Sequence, residues 1–359
     1  MLHHRFPLVD GLKALAIQFI VLHHLAAYGP LADTVAEFAP RAIAWFYDYA
    51  RMAVQIFLVA GGYLAARSLA PTGQGSDRGL ADRLIARYLR LAPLYLAGLV
   101  LAVICAAVAR HWLGDDEFIP AAPTLPQALS HLLLLHSLLG HESLSAGVWY
   151  VAIDFQLFAL LALIVRTAGT SAGRLVPLLT AALAAASLLW FNRDSNYDVW
   201  GIYFFGAYGL GALTYWAGQA EKSAQIFWRG LLGAALLSLS IDPRGRLLVA
   251  LVTALTLHFA EPLSIRMPSA VRRLGQLSYS LFVVHFPIYL LTSAVLVHYR
   301  EELTLVDGIV GMVLTWSLSL CTAALLQRWF GKGVPLARWR HRSKAQPGSG
   351  LSRKLATSN

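Results

Sequence analysis

Two polar side chains, Lys13 and His24, interrupt a long apolar segment that is a candidate membrane span. His24 lies eleven residues after Lys13, close to three helical turns, so an α-helix places both on one stripe, roughly 16 Å apart along its axis. A cation and an imidazole inside such a segment are costly to bury and usually mark a functional site. Because its ordinary pKa is near neutral, His24 is a candidate general base. Two alternatives stay open, a Lys13 that extends to the inner membrane interface and a His24 at the outer interface.

Asp154 and His285 are two further polar side chains that we expect deep within apolar segments. Asp154 is predicted at a depth close to that of His24, where a carboxylate can orient an imidazole and stabilise its charge. A structural carboxylate paired with another polar group is the alternative. His285 lies two residues before Pro287, which frees a backbone carbonyl, so a polar cavity is predicted there. A hydrogen-bonded structural histidine is the alternative.

Three arginines, Arg83, Arg87 and Arg90, follow each other at spacings of four and three residues. These spacings place them on one face of a helix, and guanidinium groups clustered in this way suit phosphates. Ordinary basic charge on the cytoplasmic side of a membrane is the alternative. Gly61 and Gly62 lie within an apolar segment, where glycines allow either close helix packing or the approach of a ligand to the backbone.

The elements that carry these residues are predicted from composition. The chain has 359 residues, of which 57% are hydrophobic and only 13% charged, and its mean hydropathy is +0.58. Soluble domains average about 25% charged residues. The sequence therefore predicts an all-α, polytopic integral membrane protein, with the first apolar segment retained as a span. About ten transmembrane helices are predicted, near residues 12–29, 49–69, 91–110, 147–166, 175–191, 200–217, 227–241, 246–260, 276–298 and 306–328.

A weaker apolar segment, 127–140, is too short to span comfortably and is predicted to be a re-entrant or interfacial helix. With ten spans and a cytoplasmic N-terminus, most Lys and Arg residues fall in cytoplasmic segments, which predicts that both termini are cytoplasmic. Residues 1–330 are predicted to form one transmembrane domain. Residues 331–359 are predicted to be a disordered basic cytoplasmic tail near anionic membrane lipid. The net charge of +10 is thereby attributed to membrane topology and not to nucleic-acid binding.

No metal site is predicted. Cys105 and Cys321 both lie in apolar segments and are interpreted as buried small side chains. His131 and His136 are five residues apart, off register for a pair of ligands on one helix face. The sequence also contains no phosphate-binding P-loop and no dinucleotide-binding glycine pattern.

Five motifs in a fixed order resemble the acyltransferase-3 family of bacterial integral-membrane acyltransferases. Residues 8–16 with His24 resemble its opening Leu-Asp-Gly-Leu-Arg-Ala-Leu-Ala motif and its Arg-x10-His pair. The other four are its Phe-Phe-Val-Leu-Ser-Gly-Phe-Leu, Arg-x-x-Arg-x-x-Pro, Trp-Ser-Leu-x-Val-Glu-Glu-Gln-Phe-Tyr and Ser-Tyr-x-Leu-Tyr-Leu-x-His-x-Pro motifs. They correspond to residues 57–64, 83–93, 149–158 and 278–288.

The resemblance implies O-acyl transfer in the bacterial inner membrane, from cytoplasmic acyl-CoA to a hydroxyl of a cell-envelope or exported carbohydrate. Acetyl is the expected acyl group, and exopolysaccharide, O-antigen and glycolipid are the expected acceptors, free or lipid-linked. Acyl-CoA is a co-substrate, and no bound cofactor is expected. By this analogy His24 is the general base or a transient acyl carrier. Lys13 stabilises charge on the donor side, and Asp154 belongs to the catalytic group. The arginine cluster holds the CoA phosphates, while Trp149, His285, Gly61 and Gly62 are expected to line the acceptor site or a cavity.

The chain departs from the family pattern at five of these positions. Lys13 replaces arginine, Gly61 replaces serine, Asp154 and Phe155 replace two glutamates, and Phe158 replaces tyrosine. Two other functions stay open from the sequence. One is a proton-coupled transporter or flippase of a small metabolite or lipid-linked sugar, with His24, Asp154 and His285 as a proton relay. The other is a non-catalytic scaffold in polysaccharide assembly.

Overall fold

The computed structural model describes residues 6–114, 117–170, 173–219, 222–263, 265–300 and 302–331. Within these ranges the chain forms α-helices and short 3₁₀ turns and contains no β-strand, which confirms the all-α prediction. Of the predicted tail, residues 331–359, all but Gly331 lie outside the described residues. The α-helices are α1 Pro7–Ala27, α2 Gly29–Phe38, α3 Pro40–Tyr49, α4 Val54–Leu69, α5 Leu80–Leu113, α6 Leu125–Leu132, α7 Val148–Thr167, α8 Leu175–Leu189, α9 Gly201–Gly218, α10 Lys222–Ile241, α11 Gly245–Ala260, α12 Ser269–Tyr299 and α13 Leu305–Phe330.

Nine helical segments among the described residues are long and apolar enough to cross a membrane. Helices α3 and α4 form one of them through the 3₁₀ turn Ala50–Ala53. The nine segments are Pro7–Ala27, Pro40–Leu69, Leu80–Leu113, Val148–Thr167, Leu175–Arg193, Lys222–Ile241, Gly245–Leu263, Ser269–Tyr299 and Leu305–Phe330.

The sixth of the ten predicted spans, 200–217, corresponds to helix α9 and is not among these nine segments. Its glycines, tyrosines and tryptophan lower its mean hydropathy, although nearly all of its residues are buried. Helix α9 packs against α4, α7, α8, α10 and α11. It is therefore a central helix, shielded from its surroundings by apolar neighbours.

The packing of α4 against α9 brings the two backbones into contact. A Cβ atom added at Gly62 would collide with the carbonyl oxygen of Tyr208, and one added at Gly211 would collide with that of Val59. Only glycine fits at such contacts, which is a common way to pack membrane helices. The contact fixes α4, which carries much of the site, against the centre of one helix group.

The core has two parts. One surrounds α9 and includes α4, α8, α10 and α11, while the other surrounds α12 and includes α1 and α5. Helices α1 and α7 also contact α4, so α1, α4, α5, α7 and α12 meet where the two parts join. Every residue that the sequence singled out as a functional candidate lies on one of these five helices.

The short helix α6 begins with a capping box, in which the Thr124 and Gln127 side chains bond each other's backbone N–H groups. Its eight residues span about 12 Å, too little to cross a membrane. The chain then leaves the helix through Leu134, whose φ is 59°. Helices α2 and α3 were not predicted; they lie largely between the first two predicted spans, 12–29 and 49–69.

Candidate active site

Helix α4 lines three cavities in succession. Its first residues, Val54 and Gln55, line a cavity of about 560 Å³ that contains His24, here called the histidine cavity. Phe57, Ala60, Gly61 and Leu64 line a cavity of about 300 Å³ that contains Lys13, the lysine cavity. Leu64 to Leu69 line a cavity of about 740 Å³ rich in arginine, the arginine cavity. Because 16 helical residues extend about 24 Å, the three cavities follow one another through the helix bundle.

Neighbouring cavities share wall residues. Phe282 lines both the histidine and the lysine cavity. Leu64, Arg87 and Arg90 line both the lysine and the arginine cavity. Between the histidine and lysine cavities, the rings of Phe57, Tyr150 and Phe282 contact each other with centroid separations of 5.2 to 6.2 Å. We call these three rings the aromatic constriction.

His24 lies in the last turn of α1 and contacts His285 of α12. Its Nδ1 atom is 2.8 Å from the carbonyl oxygen of Ile20 and 3.1 Å from Nε2 of His285. Nδ1 of His285 is in turn 3.1 Å from the carbonyl oxygen of Leu281. The structure therefore joins two histidines that are 261 residues apart in the chain.

These contacts assign the tautomers of both rings. A carbonyl oxygen only accepts hydrogen bonds, so each Nδ1 atom carries a proton and donates it to its own helix. The unprotonated Nε2 of His285 then accepts from the Nδ1–H of His24. In the neutral His24 ring, Nε2 keeps its lone pair, and it bonds to no residue in the described part of the chain. Since His24 lines the histidine cavity, the arrangement provides a base at the cavity wall.

The carboxylate of Asp154 pairs with Arg87, whose Nη2 donates to it. The guanidinium of Arg87 also lies 5.1 Å from the ring centroid of Phe158. The expectation that Asp154 orients His24 is thereby corrected, because His285 makes that contact. Depth alone supported the expectation, and depth does not determine the direction in which a side chain leaves its helix. Asp154 instead lines the lysine cavity with Lys13 and Gly61.

The three predicted arginines all line the arginine cavity, but they are not equivalent. Arg87 is neutralised by Asp154, and Arg83 donates to the carbonyl oxygen of Leu69 at 3.3 Å. Arg90 has no ion-pair partner among the described residues. Arg67 and Arg78 join the cavity from the end of α4 and the following loop, and spacing alone could not reveal this.

The remaining predicted site residues are divided between the cavities and the helix packing. Trp149 lines the histidine cavity, and Gly61 lines the lysine cavity. Gly62 serves the contact between α4 and α9. His285 is buried behind His24, so it supports the base and does not form a cavity wall.

Sequence reasoning missed three arginines of the histidine cavity, Arg51, Arg244 and Arg246. Arg51, in the 3₁₀ turn before α4, is distant in sequence from Arg244 and Arg246 at the start of α11, and the fold brings them together. One signal could have revealed them. All three fall in segments predicted to be extracytoplasmic, where basic residues are few.

A second histidine pair lies outside the candidate spans. The rings of His131 and His136 stack with centroids 4.0 Å apart and planes inclined by 10°. Burial lowers the pKa of His131 and lowers that of His136 to about 3. The chain leaves helix α6 between them, so the helical register used to judge their spacing does not apply. Within the described ranges, no group of three His, Cys, Asp or Glu residues suits a metal ion.

A family model described as an acyltransferase domain matches residues 6–326 of the chain. The chain therefore belongs to this acyltransferase family, and with its apolar helices it is a multi-pass membrane acyltransferase. The resemblance inferred from the five motifs is confirmed. No curated protein and no solved structure matches the chain.

Proposed function

We propose that this protein moves an acyl group, acetyl by default, from cytoplasmic acyl-CoA to a hydroxyl of a cell-envelope or exported carbohydrate. The proposal includes a bacterial inner-membrane location with both termini cytoplasmic. One observation carries it: three successive cavities with a cluster of arginines at one end and a histidine base at the other. This arrangement suits an enzyme whose two substrates arrive from opposite sides.

The donor end is the arginine cavity. Arg67, Arg78, Arg83 and Arg90 line it, and no Asp or Glu of the described chain does. Guanidinium groups bind phosphate oxygens through paired hydrogen bonds, so the CoA phosphates fit here. The pantetheine arm then extends along α4 into the lysine cavity.

In the lysine cavity, Lys13 supplies positive charge beside the Arg87–Asp154 pair. Within the described residues, Lys13 is in no ion pair. Its distance from His24 along α1, roughly 16 Å, keeps it from the reacting hydroxyl. Lys13 therefore acts on the donor side, where an ammonium group stabilises negative charge.

The chemistry takes place at Nε2 of His24. This atom takes the proton of the acceptor hydroxyl while the hydroxyl oxygen attacks the thioester carbonyl carbon. The carbon–sulfur bond breaks, and the CoA sulfur leaves with the proton from the imidazolium. In a second route Nε2 attacks the thioester carbonyl carbon first, and CoA leaves as a thiolate. The acceptor hydroxyl then takes the acyl group from Nε2, and its proton passes to the CoA thiolate. His285 is a positioning residue in both routes, since it and the Ile20 carbonyl oxygen both accept from Nδ1–H of His24 and so leave the lone pair on Nε2.

The aromatic constriction separates donor and acceptor in this mechanism. Phe57, Tyr150 and Phe282 must rotate for a thioester to reach His24, since their rings contact each other between the two cavities. In the absence of a donor, the closed rings limit the access of water to the donor side.

Mass spectrometry of envelope glycans, with and without the gene, tests the proposal. We expect one acyl-bearing glycan to disappear on deletion and to return with the wild-type gene but not with His24→Ala. His111→Ala is the matched control, because His111 is exposed and lines none of the three cavities. Identical glycans in all strains would contradict acyl transfer. Proton-coupled flux without CoA would favour the transporter.

A further inference from the structure

We propose that the acceptor is an anionic carbohydrate, whose carboxylate or phosphate is bound by Arg51 and Arg246 beside the hydroxyl that His24 activates. The inference rests on the proposed function for the acyl transfer itself. It adds the chemical class of the acceptor, which neither the family nor the catalytic histidine determines.

The histidine cavity is lined by three arginines, and no Asp or Glu of the described residues lines it. Arg51 comes from the 3₁₀ turn before α4, while Arg244 and Arg246 flank the first residue of α11. These residues share the cavity with His24, so a ligand held by them lies beside the base.

Arg244 is part of the framework. Its Nη1 donates to the backbone and side-chain oxygens of Asn192, and its Nη2 donates to Leu188 and Ser238. Its Nε lies 3.2 Å from the carboxylate of Asp242. Both its charge and its donors are thus largely used, and we assign it no ligand.

Arg246 keeps its charge uncompensated. One terminal nitrogen donates to the Tyr203 hydroxyl at 2.7 Å, and the other donates to the Asn192 carbonyl oxygen at 3.0 Å. Both partners are neutral, and no carboxylate in the described chain pairs with Arg246. The neutral contacts hold the guanidinium in place at the cavity wall while leaving its positive charge available to a ligand.

Arg51 donates fewer hydrogen bonds than Arg246. Its Nε donates to the backbone carbonyl of Asp48 at 3.2 Å, and its two terminal nitrogens bond to nothing in the part of the chain that the structure describes. Those two nitrogens form the fork that binds a carboxylate or phosphate through two hydrogen bonds. Two cations without a carboxylate partner beside one cavity attract a ligand that brings negative charge.

Two aromatic rings of the same cavity fit the sugar part of such a ligand. Trp149 and Phe204 both line the cavity, with ring centroids 5.9 Å apart and planes inclined by 38°. Aromatic faces pack against the flat, apolar face of a sugar ring. Aromatic rings, two free positive charges and a base in one cavity therefore match an acidic sugar, or a sugar joined to a phosphate.

The first test reads the chemistry of the acylated glycan found by mass spectrometry. We expect the acylated sugar, or the group directly attached to it, to carry a carboxylate or phosphate. Reduction of the carboxyl groups and phosphatase treatment of the isolated acceptor then distinguish the two sources. An acylated acceptor without such a group would overturn this inference and leave the proposed function intact. Absence of any acylated glycan would overturn both.

The second test uses the full-length purified protein, acetyl-CoA and that isolated acceptor. We expect Arg51→Gln to raise the KM for the acceptor about tenfold at low salt, with kcat unchanged, because a charge-assisted contact is lost. The matched control is Arg41→Gln, since Arg41 is exposed on α3 and lines none of the three cavities. Equal KM values for wild type, Arg51→Gln and Arg41→Gln would contradict the role of Arg51. Equal KM values for the acceptor before and after removal of its charge would contradict the inference as a whole.

Discussion

Nε2 of His285 accepts a hydrogen bond from Nδ1 of His24 at 3.1 Å, which joins α12 to α1 at the wall of the histidine cavity. The contact replaces the carboxylate–imidazole pair expected from sequence. A neutral imidazole as partner helps the Ile20 carbonyl oxygen to hold the tautomer of His24 without adding a negative charge to the buried site. In the proposed mechanism, the base is thus oriented by a residue that lines none of the three cavities.

Replacement of His285 separates positioning from binding. We expect His285→Phe to lower kcat roughly tenfold and to leave both KM values within about twofold, because the His24 ring loses one of the two acceptors that orient it while the cavities keep their shape. His285→Gln offers a carbonyl oxygen to the same Nδ1–H and should recover much of kcat. Steady-state acyl-transfer kinetics measure both variants. Equal kcat values for Phe and Gln would show that the accepted hydrogen bond has no role.

For the Arg87–Asp154 pair we predict an effect on folding stability. Asp154→Asn leaves the Arg87 charge without its partner in a poorly solvated place, and we expect a loss of about 3 kcal/mol in folding stability. The combined variant Arg87→Met and Asp154→Asn should recover part of that loss. Denaturation of the purified protein measures the change. Asp198→Asn, at an exposed position, is the control that should stay near wild type.

Arg90 provides the sharpest test of the donor end. We expect Arg90→Gln to raise the KM for acetyl-CoA about tenfold, because one charge-assisted phosphate contact is lost. For acetyl-pantetheine, which lacks the nucleotide phosphates, we expect the variant and the wild type to have the same KM. Arg229→Gln is a matched control, since Arg229 is exposed and lines none of the three cavities. A similar effect of Arg90→Gln on both donors would place the CoA phosphates elsewhere.

The stacked pair His131 and His136 predicts a pH-dependent stability. Burial lowers the pKa of His136 to about 3, so the unfolded chain binds this proton more readily. The stabilising effect of the neutral ring is present above the unfolded pKa near 6.5 and is lost progressively as the pH falls towards 3. At pH 5 the loss amounts to about 2 kcal/mol relative to pH 7.5.

His136→Phe keeps a ring in the stack and removes the titration. Thermal unfolding at pH 5 and pH 7.5 should show a smaller difference for this variant than for the wild type. His111→Phe, at an exposed position, should leave the wild-type difference unchanged. Equal pH dependence in wild type and His136→Phe would contradict the assignment.

The sequence allowed the helical membrane fold and the family to be predicted, because long apolar segments and five ordered motifs are local signals. It also placed Lys13 and His24 in separate regions of one helix, since helical rise follows from residue number alone. Residue spacing along α5 likewise predicted that its three arginines share one helix face, and all three line the arginine cavity. These predictions, each of which depended on one helix, agreed with the structure.

Predictions that needed the rotation of one helix against another did not agree. The partner of Asp154 is on α5 and that of His24 is on α12, and neither choice follows from depth. Arg51, Arg244 and Arg246 meet only through the packing of α11 beside α4. Each of these features is a property of tertiary packing that no single segment encodes.

Helix α4 has one more consequence for an enzyme of this kind. It borders all three cavities, and the contacts at Gly62 and Gly211 hold it against α9. The separation of the cavities along α4 is therefore fixed. A donor whose phosphates are bound at one end of α4 would place its thioester at a defined point along the helix. A long acyl chain would extend past that point, and a donor without phosphates would not be held at a defined position. Selectivity for short acyl groups would then be set by the length of a helix as well as by the shape of a pocket.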